Sequence, residues 1–321
     1  MEEIEKAHYR IALAVLSRYI GEFTRLAGRE MEVPPEKPLQ GWETKVIKLA
    51  DLFSAGEHVP AVEQQLRQLR PIFCSLTVSG QQAPAPLYYP LAPLRMEEEI
   101  IFPTDAKEDQ KIREAYFSLV EGFSREAGAL LEAHERVENL PVYLESLLLL
   151  FQRYAWCVPS VLPDVSLYDH SRVAAALAVC LLEKDETTLD QVLAALEEWH
   201  QARQENGSAP VPTALEKVEV ALLVGGDISG VQDFIYTITA RGATSALRGR
   251  SLYLQLLTEA VARYVMRSLD LPITNLLYQG GGGFYLLARP SDREKLEEVR
   301  RNVSRILLAH HRGDLYLALG A

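Results

Sequence analysis

Four consecutive glycines, Gly280 to Gly283, stand between two short apolar stretches, Asn275 to Tyr278 and Phe284 to Ala288. Glycine tolerates the positive φ that a tight two-strand turn requires, so the two stretches read as the arms of a hairpin. Upstream, a buried-strand pattern covers Val218 to Gly225, followed by helical patterns over Ser229 to Ile238 and Arg250 to Ser268. Downstream, a charged amphipathic helix spans Ser291 to Leu308 and a last strand Leu315 to Leu319. The resulting order, β-α-β-β-α-β with an additional helical turn, is the ferredoxin-like arrangement. Four glycines in a row exceed what the turn itself needs, which leaves close approach of a ligand as the second reason for them.

Before this region the periodicity is helical. It covers His8 to Ala27 (Ile11, Val15, Leu16, Ile20, Phe23), Trp42 to Phe53, Lys107 to Glu135, Tyr143 to Tyr154, Ser171 to Glu183 and Leu189 to Glu205, the last closed by Asn206-Gly207. The stripe Leu147, Leu150, Phe151, Tyr154 reads as core. Between Ile72 and Phe102, β-like pieces (Ile72 to Val78, Leu87 to Leu91) are interrupted by Pro84, Pro86, Pro90 and Pro93, and a hairpin packed on the helices is expected there. A polar stretch with Gly207, Pro210 and Pro212 reads as a linker. The expected fold class is therefore α+β: a mainly helical domain over 1–205 with a small β insertion, a linker over 206–212, and a ferredoxin-like domain over 213–321.

With 321 residues the chain has room for two domains that each bury a core. Hydrophobic content of 48% with 24% charged residues is that of a globular chain rather than a disordered one. A formal charge of −11 excludes a surface that coats nucleic acid indiscriminately, because such binding rests on Lys and Arg against phosphates. Any nucleic-acid contact must be local. Cys74, Cys157 and Cys180 are widely spaced and lack a C-x-x-C pairing, so they give neither a disulfide framework nor a zinc site. The start, Met-Glu-Glu-Ile-Glu-Lys, is no signal peptide, and the longest apolar run, Val173 to Leu182, is too short to span a bilayer. The expectation is a cytoplasmic protein with no membrane partner.

Three ordered motifs carry a resemblance: G-D-I-S-G-V-Q-D-F-I-Y (226–236), S-A-L-R-G-R-S-L-Y-L (245–254) and N-L-L-Y-Q-G-G-G-G-F-Y-L-L (275–287). Weaker support comes from A-D-L-F-S-A-G-E (50–57), P-L-R-M-E-E-E-I-I-F-P (93–103), W-C-V-P-S (156–160) and S-L-Y-D-H-S-R (166–172). Together they resemble the large subunit of type III-A CRISPR-Cas (Csm) interference complexes, over nearly the whole chain. The resemblance implies an N-terminal HD-type domain followed by a first palm of a nucleotide polymerase, and a function in antiviral defence. In that family a second palm with Gly-Gly-Asp-Asp follows, and two facing palms bind ATP and make cyclic oligoadenylates with Mg²⁺. Gly-Gly-Asp-Asp is absent from these residues, so Mg²⁺ is expected only in the complete two-palm enzyme, with the second palm in the same or another chain. Expected partners are crRNA-guided Csm subunits (the repeat-handle-binding subunit and the small helical subunit), crRNA and target RNA.

No catalytic residue is assigned to this chain. Asp227, Ser229, Gly230, Gly280, Gly281, Gly282, Gly283, Arg248 and Arg250 are the candidates for nucleotide binding. Each has a plainer reading: Asp227 or Ser229 as a helix cap, the glycines as a turn, and Arg241, Arg248 and Arg250 as a solvated helix start. His310-His311 lie at a helix end, where imidazole answers the helix dipole, and Asp169 precedes an apolar helical run as an N-cap would. An active HD domain holds its metal through a His-Asp pair, and the matching stretch here is Arg18-Tyr19-Ile20-Gly21-Glu22, with Arg18 and Tyr19 at the ligand positions. Asp51 remains a lone candidate, and one carboxylate does not make a catalytic metal site. The rival readings are a stand-alone nucleotide sensor, a scaffold without catalysis, and an HD phosphohydrolase with unrecognised ligands.

Overall fold

A computed structural model of the chain describes residues 2–31, 39–55, 66–77, 85–105, 109–137, 139–207, 209–236 and 243–321. The first part is built from helices α1 (Glu2–Arg25), α2 (Gly41–Ala55), α3 (Glu98–Ile101), α4 (Asp109–Val137), α5 (Leu140–Ala155), α6 (Leu167–Leu181), α7 (Glu186–Asn206) and the single turn α8 (Thr213–Glu216). At its centre lies α6, whose Ala174, Ala175, Ala176, Ala178 and Val179 are fully buried. A helix that is apolar on every side belongs in a core, and alanine lets its neighbours α1 and α2 approach closely. A second focus is the edge-to-face trio Phe23, Phe123 and Phe151, with centroids 5.7–5.8 Å apart, which joins α1, α4 and α5.

Helix ends follow the side chains available. Asn139 accepts from the Val142 N–H and Asp185 from that of Thr188, and Gly207 closes α7 at a left-handed φ of 74°. At α6 the cap is Ser166 rather than Asp169. The Ser166 hydroxyl accepts from the Asp169 N–H at 2.9 Å and donates to its carboxylate at 2.6 Å. Asp169 thus sits one turn inside the helix, tied through its N–H and its carboxylate to the capping hydroxyl.

The expected hairpin over 72–91 is not what forms. Ile72–Ser75 is a 3₁₀ turn, and among the described residues there the only ladder contact is the isolated bridge Tyr88 to Thr104. Proline lacks the N–H a strand ladder needs, and Pro86, Pro90 and Pro93 break the pairing into an irregular layer. Val78, Ile238 and Arg241 lie outside the described residues.

The second part comprises β1 (Leu222–Ser229), α9 (Val231–Tyr236), α10 (Ala243–Ser268), β2 (Leu276–Gly280), β3 (Gly283–Ala288), α11 (Arg293–His311) and β4 (Tyr316–Gly320). The sheet has the order β2-β3-β1-β4 with every neighbouring pair antiparallel, the split β-α-β topology. Strand β1 lies four residues later than periodicity suggested, because Gly225 and Gly226 are interior to it. Their missing side chains are replaced from β3: a Cβ on Gly226 would lie 2.2 Å from the ring of Phe284, and one on Gly225 3.2 Å from that of Tyr285. Strand-breaking residues are tolerated where an aromatic ring covers them.

One sheet face is buried. Val224, Ile228, Phe284, Leu286 and Leu317 meet Leu296, Val299, Val303 and Leu307 of α11 and the inner side of α10. The opposite face exposes Leu223, Tyr278, Tyr285 and Tyr316, the one-sided burial open to an antiparallel sheet.

The two parts are joined by buried polar contacts. The Asn275 amide donates to the Leu287 carbonyl at 2.8 Å and, more weakly, to that of Ala176 at 3.4 Å. His8 of α1 meets Asp270 at 3.2 Å, and its Nε2 accepts from Arg289 at 2.8 Å, while Arg289 also grips Asp292 at 2.9 and 3.0 Å.

Candidate functional site

On the exposed sheet face, the strand registers bring small residues together around one carboxylate. Asp227 pairs across β1 with Gly283 on one side and Ala318 on the other, while Gly225 pairs with Tyr285 and Gly320. The result is a cleft of about 500 Å³ lined by Gly225, Asp227, Gly283, Tyr285, Ala318 and Gly320, with Arg300 of α11 reaching its rim. Ser229, two residues on and therefore on the same face, donates its hydroxyl to Asp227 at 2.7 Å. The pair lies within β1, so Ser229 holds the carboxylate instead of opening the next helix.

The four glycines divide by physical role. Gly281 and Gly282 have φ of 60° and 93°, the two positive values of a primed hairpin turn. Gly280 and Gly283 pair across the hairpin without positive φ. A Cβ on Gly283 would sit 3.3 Å from the Gly226 carbonyl and 3.8 Å from the Asp227 carboxylate, over the cleft floor. A Cβ on Gly280 would meet the Tyr278 hydroxyl at 2.9 Å. Gly230 answers to the fold: its φ is 89°, and a Cβ there would come within 2.0 Å of the Asp314 carbonyl.

Arg248 and Arg250 do not line this cleft. Both lie in the first turns of α10, and Arg250 donates to the Phe234 carbonyl and stacks 5.3 Å from the Phe234 ring, tying α9 to α10. The cation at the cleft is Arg300, which sequence reasoning missed; on α11 it is one charge among many, also paired with Glu297 at 2.8 Å.

A second cluster forms where α1, α2 and α6 meet. The Arg18 guanidinium lies 2.8 Å from Asp51 and 3.4 Å from Glu22. The Tyr19 hydroxyl donates to the other Asp51 oxygen in a short hydrogen bond and lies 3.0 Å from Nε2 of His170. With the hydroxyl proton committed to Asp51, its oxygen accepts from the imidazole. Ser54 completes the enclosure, 3.4 Å from the same nitrogen.

Burial disfavours an ionised Asp51, but the His170 imidazole 3.7 Å away, the Tyr19 hydrogen bond and the charge of Arg18 outweigh it and hold its pKa below the usual carboxylate value. Burial, reinforced by the Asp51 charge, raises that of Tyr19. Burial also raises Glu22, with Arg18 partly offsetting it. Asp51 is thus not alone: His170 joins it. The signal was the dipeptide Asp169-His170, in which Asp169 serves the helix end while His170 faces inward, 6% exposed. Among the described residues no group of three or more His, Cys, Asp or Glu is placed to hold a metal ion.

Residues 220–321 match the family model described as Csm1 subunit domain B. Over 318 aligned residues the chain is 29% identical to the Cas10/Csm1 single-strand-specific deoxyribonuclease (subtype III-A) of Methanocaldococcus jannaschii, covering 85% of this chain and 36% of that one. It is 30% identical to the Thermococcus onnurineus protein of the same description, covering 85% and 31%. The chain belongs to the Cas10/Csm1 family.

It spans about a third of the length of these relatives. The crystal structure of Csm1 from T. onnurineus matches 87% of the chain at 26% identity with a TM-score of 0.59, covering 33% of that structure. A Csm1–Csm4 cassette in complex with cA4 matches 98% of the chain at 22% identity with a TM-score of 0.65, covering 44% of its chain, and supports the fold. The α+β architecture is thus that of Csm1. Among the described residues no helix is long and apolar enough to cross a membrane.

Proposed function

We propose that this chain is the N-terminal part of a type III-A large subunit, in which residues 1–205 form a degenerate HD-like domain, 206–212 a linker, and 213–321 a first palm that supplies one wall of an ATP site. The observation that carries the reading is the cleft: a carboxylate, Asp227, on a floor of Gly225, Gly283, Ala318 and Gly320, with Tyr285 beside it and Arg300 at the rim. Glycine and alanine let a planar base or a ribose approach the backbone, Tyr285 offers a ring for stacking, and an arginine suits phosphate oxygens.

Asp227 is the only carboxylate among the described residues that line the cleft. Mg²⁺ needs six oxygens in near-octahedral array, so these residues do not complete a metal site, and the contribution of this chain is binding and orientation. A second palm, in the same or another chain, supplies the remaining carboxylates in the proposed scheme. The partners proposed are the Csm subunits that hold crRNA and target RNA, in line with the Csm1–Csm4 assemblies that share this fold.

Proximity of Arg18 and Tyr19 to Asp51 supports the degenerate reading of the helical part, since a guanidinium and a phenol stand where a metal would need lone pairs. The test is calorimetric titration of ATP into the protein and into its Gly283→Val variant. The variant is compared below its own unfolding midpoint, measured in parallel, and is expected to bind about tenfold more weakly or worse, a loss of about 1.4 kcal/mol. Equal affinity in both proteins removes the cleft from the nucleotide site. Divalent-metal-dependent cleavage of single-stranded DNA by the intact chain overturns the degenerate HD assignment.

A further inference from the structure

We propose that Glu297 is an internal competitor for Arg300: it holds the guanidinium that a ligand's phosphate would need, and so tempers the affinity of the cleft for phosphate-bearing ligands while leaving that for uncharged ones alone. This rests on the nucleotide reading of the cleft and adds to it a regulator from within the chain. Leu296, Val299, Val303 and Leu307 recur at helical spacing and bury one stripe of α11 against the sheet. Arg300 follows Val299 at the flank of that stripe, where α11 packs on β4, and it joins Leu319 and Gly320 in lining the cleft. Glu297 lies one turn earlier, at the i, i+3 spacing where helix side chains meet.

Nε and Nη2 of Arg300 both donate to Oε2 of Glu297, at 3.0 and 2.8 Å. This Nε–Nη2 edge is one of the two-donor forks with which arginine grips phosphate, and a single carboxylate oxygen occupies it. Glu297 is not itself among the residues lining the cleft; of the described residues that are, Arg300 is the only cation and Asp227 the only carboxylate. The side chains of the pair are 44% and 53% exposed. Exposed pairs of this kind are weak, equivalent to a factor of about two to five in an equilibrium constant, and an exposed side chain changes rotamer quickly. Exchange of one anion for the other is therefore cheap in free energy and open in geometry.

The two charges also give the cleft a direction. Asp227, braced by Ser229, repels phosphate from the floor, and Arg300 attracts it at the rim. A nucleotide then lies with its phosphates toward α11 and its ribose and base over the glycines beside Tyr285. A terminal phosphate brings about −1.5 to −2 charges and three strong acceptor oxygens, more than the carboxylate it displaces. A nucleoside makes no demand on Arg300 and leaves the pair with Glu297 intact.

The experiment is calorimetric titration of the intact chain with ATP, adenosine and inorganic tripolyphosphate. Glu297→Gln is expected to raise affinity for ATP and tripolyphosphate about two- to fivefold and to leave adenosine as it is. Arg300→Gln should weaken ATP about tenfold or more, the loss of a charge-assisted hydrogen bond, and in that background Glu297→Gln should change nothing, since it acts only through Arg300. Glu298→Gln removes the same charge one residue further on α11 and should leave all three ligands unaffected. An unchanged ATP affinity in Glu297→Gln, an equal gain in Glu298→Gln, or a gain that persists without Arg300 overturns the proposal. Gly283→Val separates this failure from that of the nucleotide reading: if it still weakens ATP and adenosine alike, the cleft stands and only the competitor falls, whereas absence of ATP binding in every protein removes both.

Discussion

Replacing Gly226 by alanine tests whether Phe284 is the reason β1 carries a glycine at its centre. The added Cβ would lie 2.2, 2.4 and 2.8 Å from three atoms of the Phe284 ring, which is fully buried and has no free end to swing aside. Overpacking of this kind costs about 1–3 kcal/mol, against about 0.5–1 kcal/mol gained by removing a glycine from a strand interior. The net expectation is a loss of about 1.5 kcal/mol. Phe284→Leu leaves most of the side-chain volume and costs well under the about 3–5 kcal/mol of full truncation. In the double variant the leucine vacates the space the new methyl needs, so the combined loss should fall short of the sum by about 1 kcal/mol. Urea denaturation measures all four proteins, and the slopes must stay equal for the midpoints to report stability. Gly21→Ala in α1, where a Cβ meets nothing within 4 Å, serves as the reference and is expected to stabilise. Additivity of the two changes within about 0.5 kcal/mol would refute the argument that the ring and the glycine share one space.

Two further outcomes follow from the buried polar groups. Burial and the charge of Arg289 outweigh Asp270 and lower the pKa of His8 below 6.5, so the folded protein binds fewer protons there than the unfolded chain. Stability from this contact is complete above 6.5 and is lost as pH falls from there through the folded value; thermal unfolding from about pH 8 to 5 should show this loss, and His8→Gln should flatten it. Tyr19→Phe removes the hydroxyl that donates to Asp51 and accepts from His170, at an expected cost of about 1–2 kcal/mol. Because Asp51 is held below 3.8, its stabilisation is present above that pH and lost as pH falls through the folded value, and the variant should lose less on acidification. An unchanged unfolding midpoint in Tyr19→Phe contradicts the hydrogen-bond chain.

Periodicity located the six long helices of the first part, with the start of α1 six residues late, because their apolar faces are long; the single turns α3 and α8 have no such face and were not expected. It failed where the deciding contact is distant. The end of β1 was misplaced at Gly225 because nothing local says that Phe284 and Tyr285, some sixty residues on, cover the two glycines. The expected hairpin over 72–91 dissolved because β-like residues cannot pair when prolines remove the donors. The glycine turn was legible as a turn, but only the strand registers separate Gly281 and Gly282, held by their φ, from Gly283, held by the cleft. Arg248 and Arg250, grouped with Asp227 among the candidates, are not among the residues lining the cleft, where the cation is Arg300.

The two candidate sites differ in how they treat a carboxylate, and that difference carries the functional reading further than either site alone. Asp51 is saturated from within: Arg18 neutralises it, Tyr19 donates to it, and His170 closes the chain, so its oxygens are committed to the protein. Such an arrangement ties α1, α2 and α6 together as a structural clasp. Asp227 is the reverse case. One serine donates to it, the positions beside it across both strand pairs are glycine and alanine, and the residue is exposed. The small residues around Asp227, under the proposed reading, leave room for a group brought from outside. Under the proposed reading, substitutions at Arg18 or Tyr19 therefore register first in stability, and substitutions at Gly283 or Ala318 register first in binding.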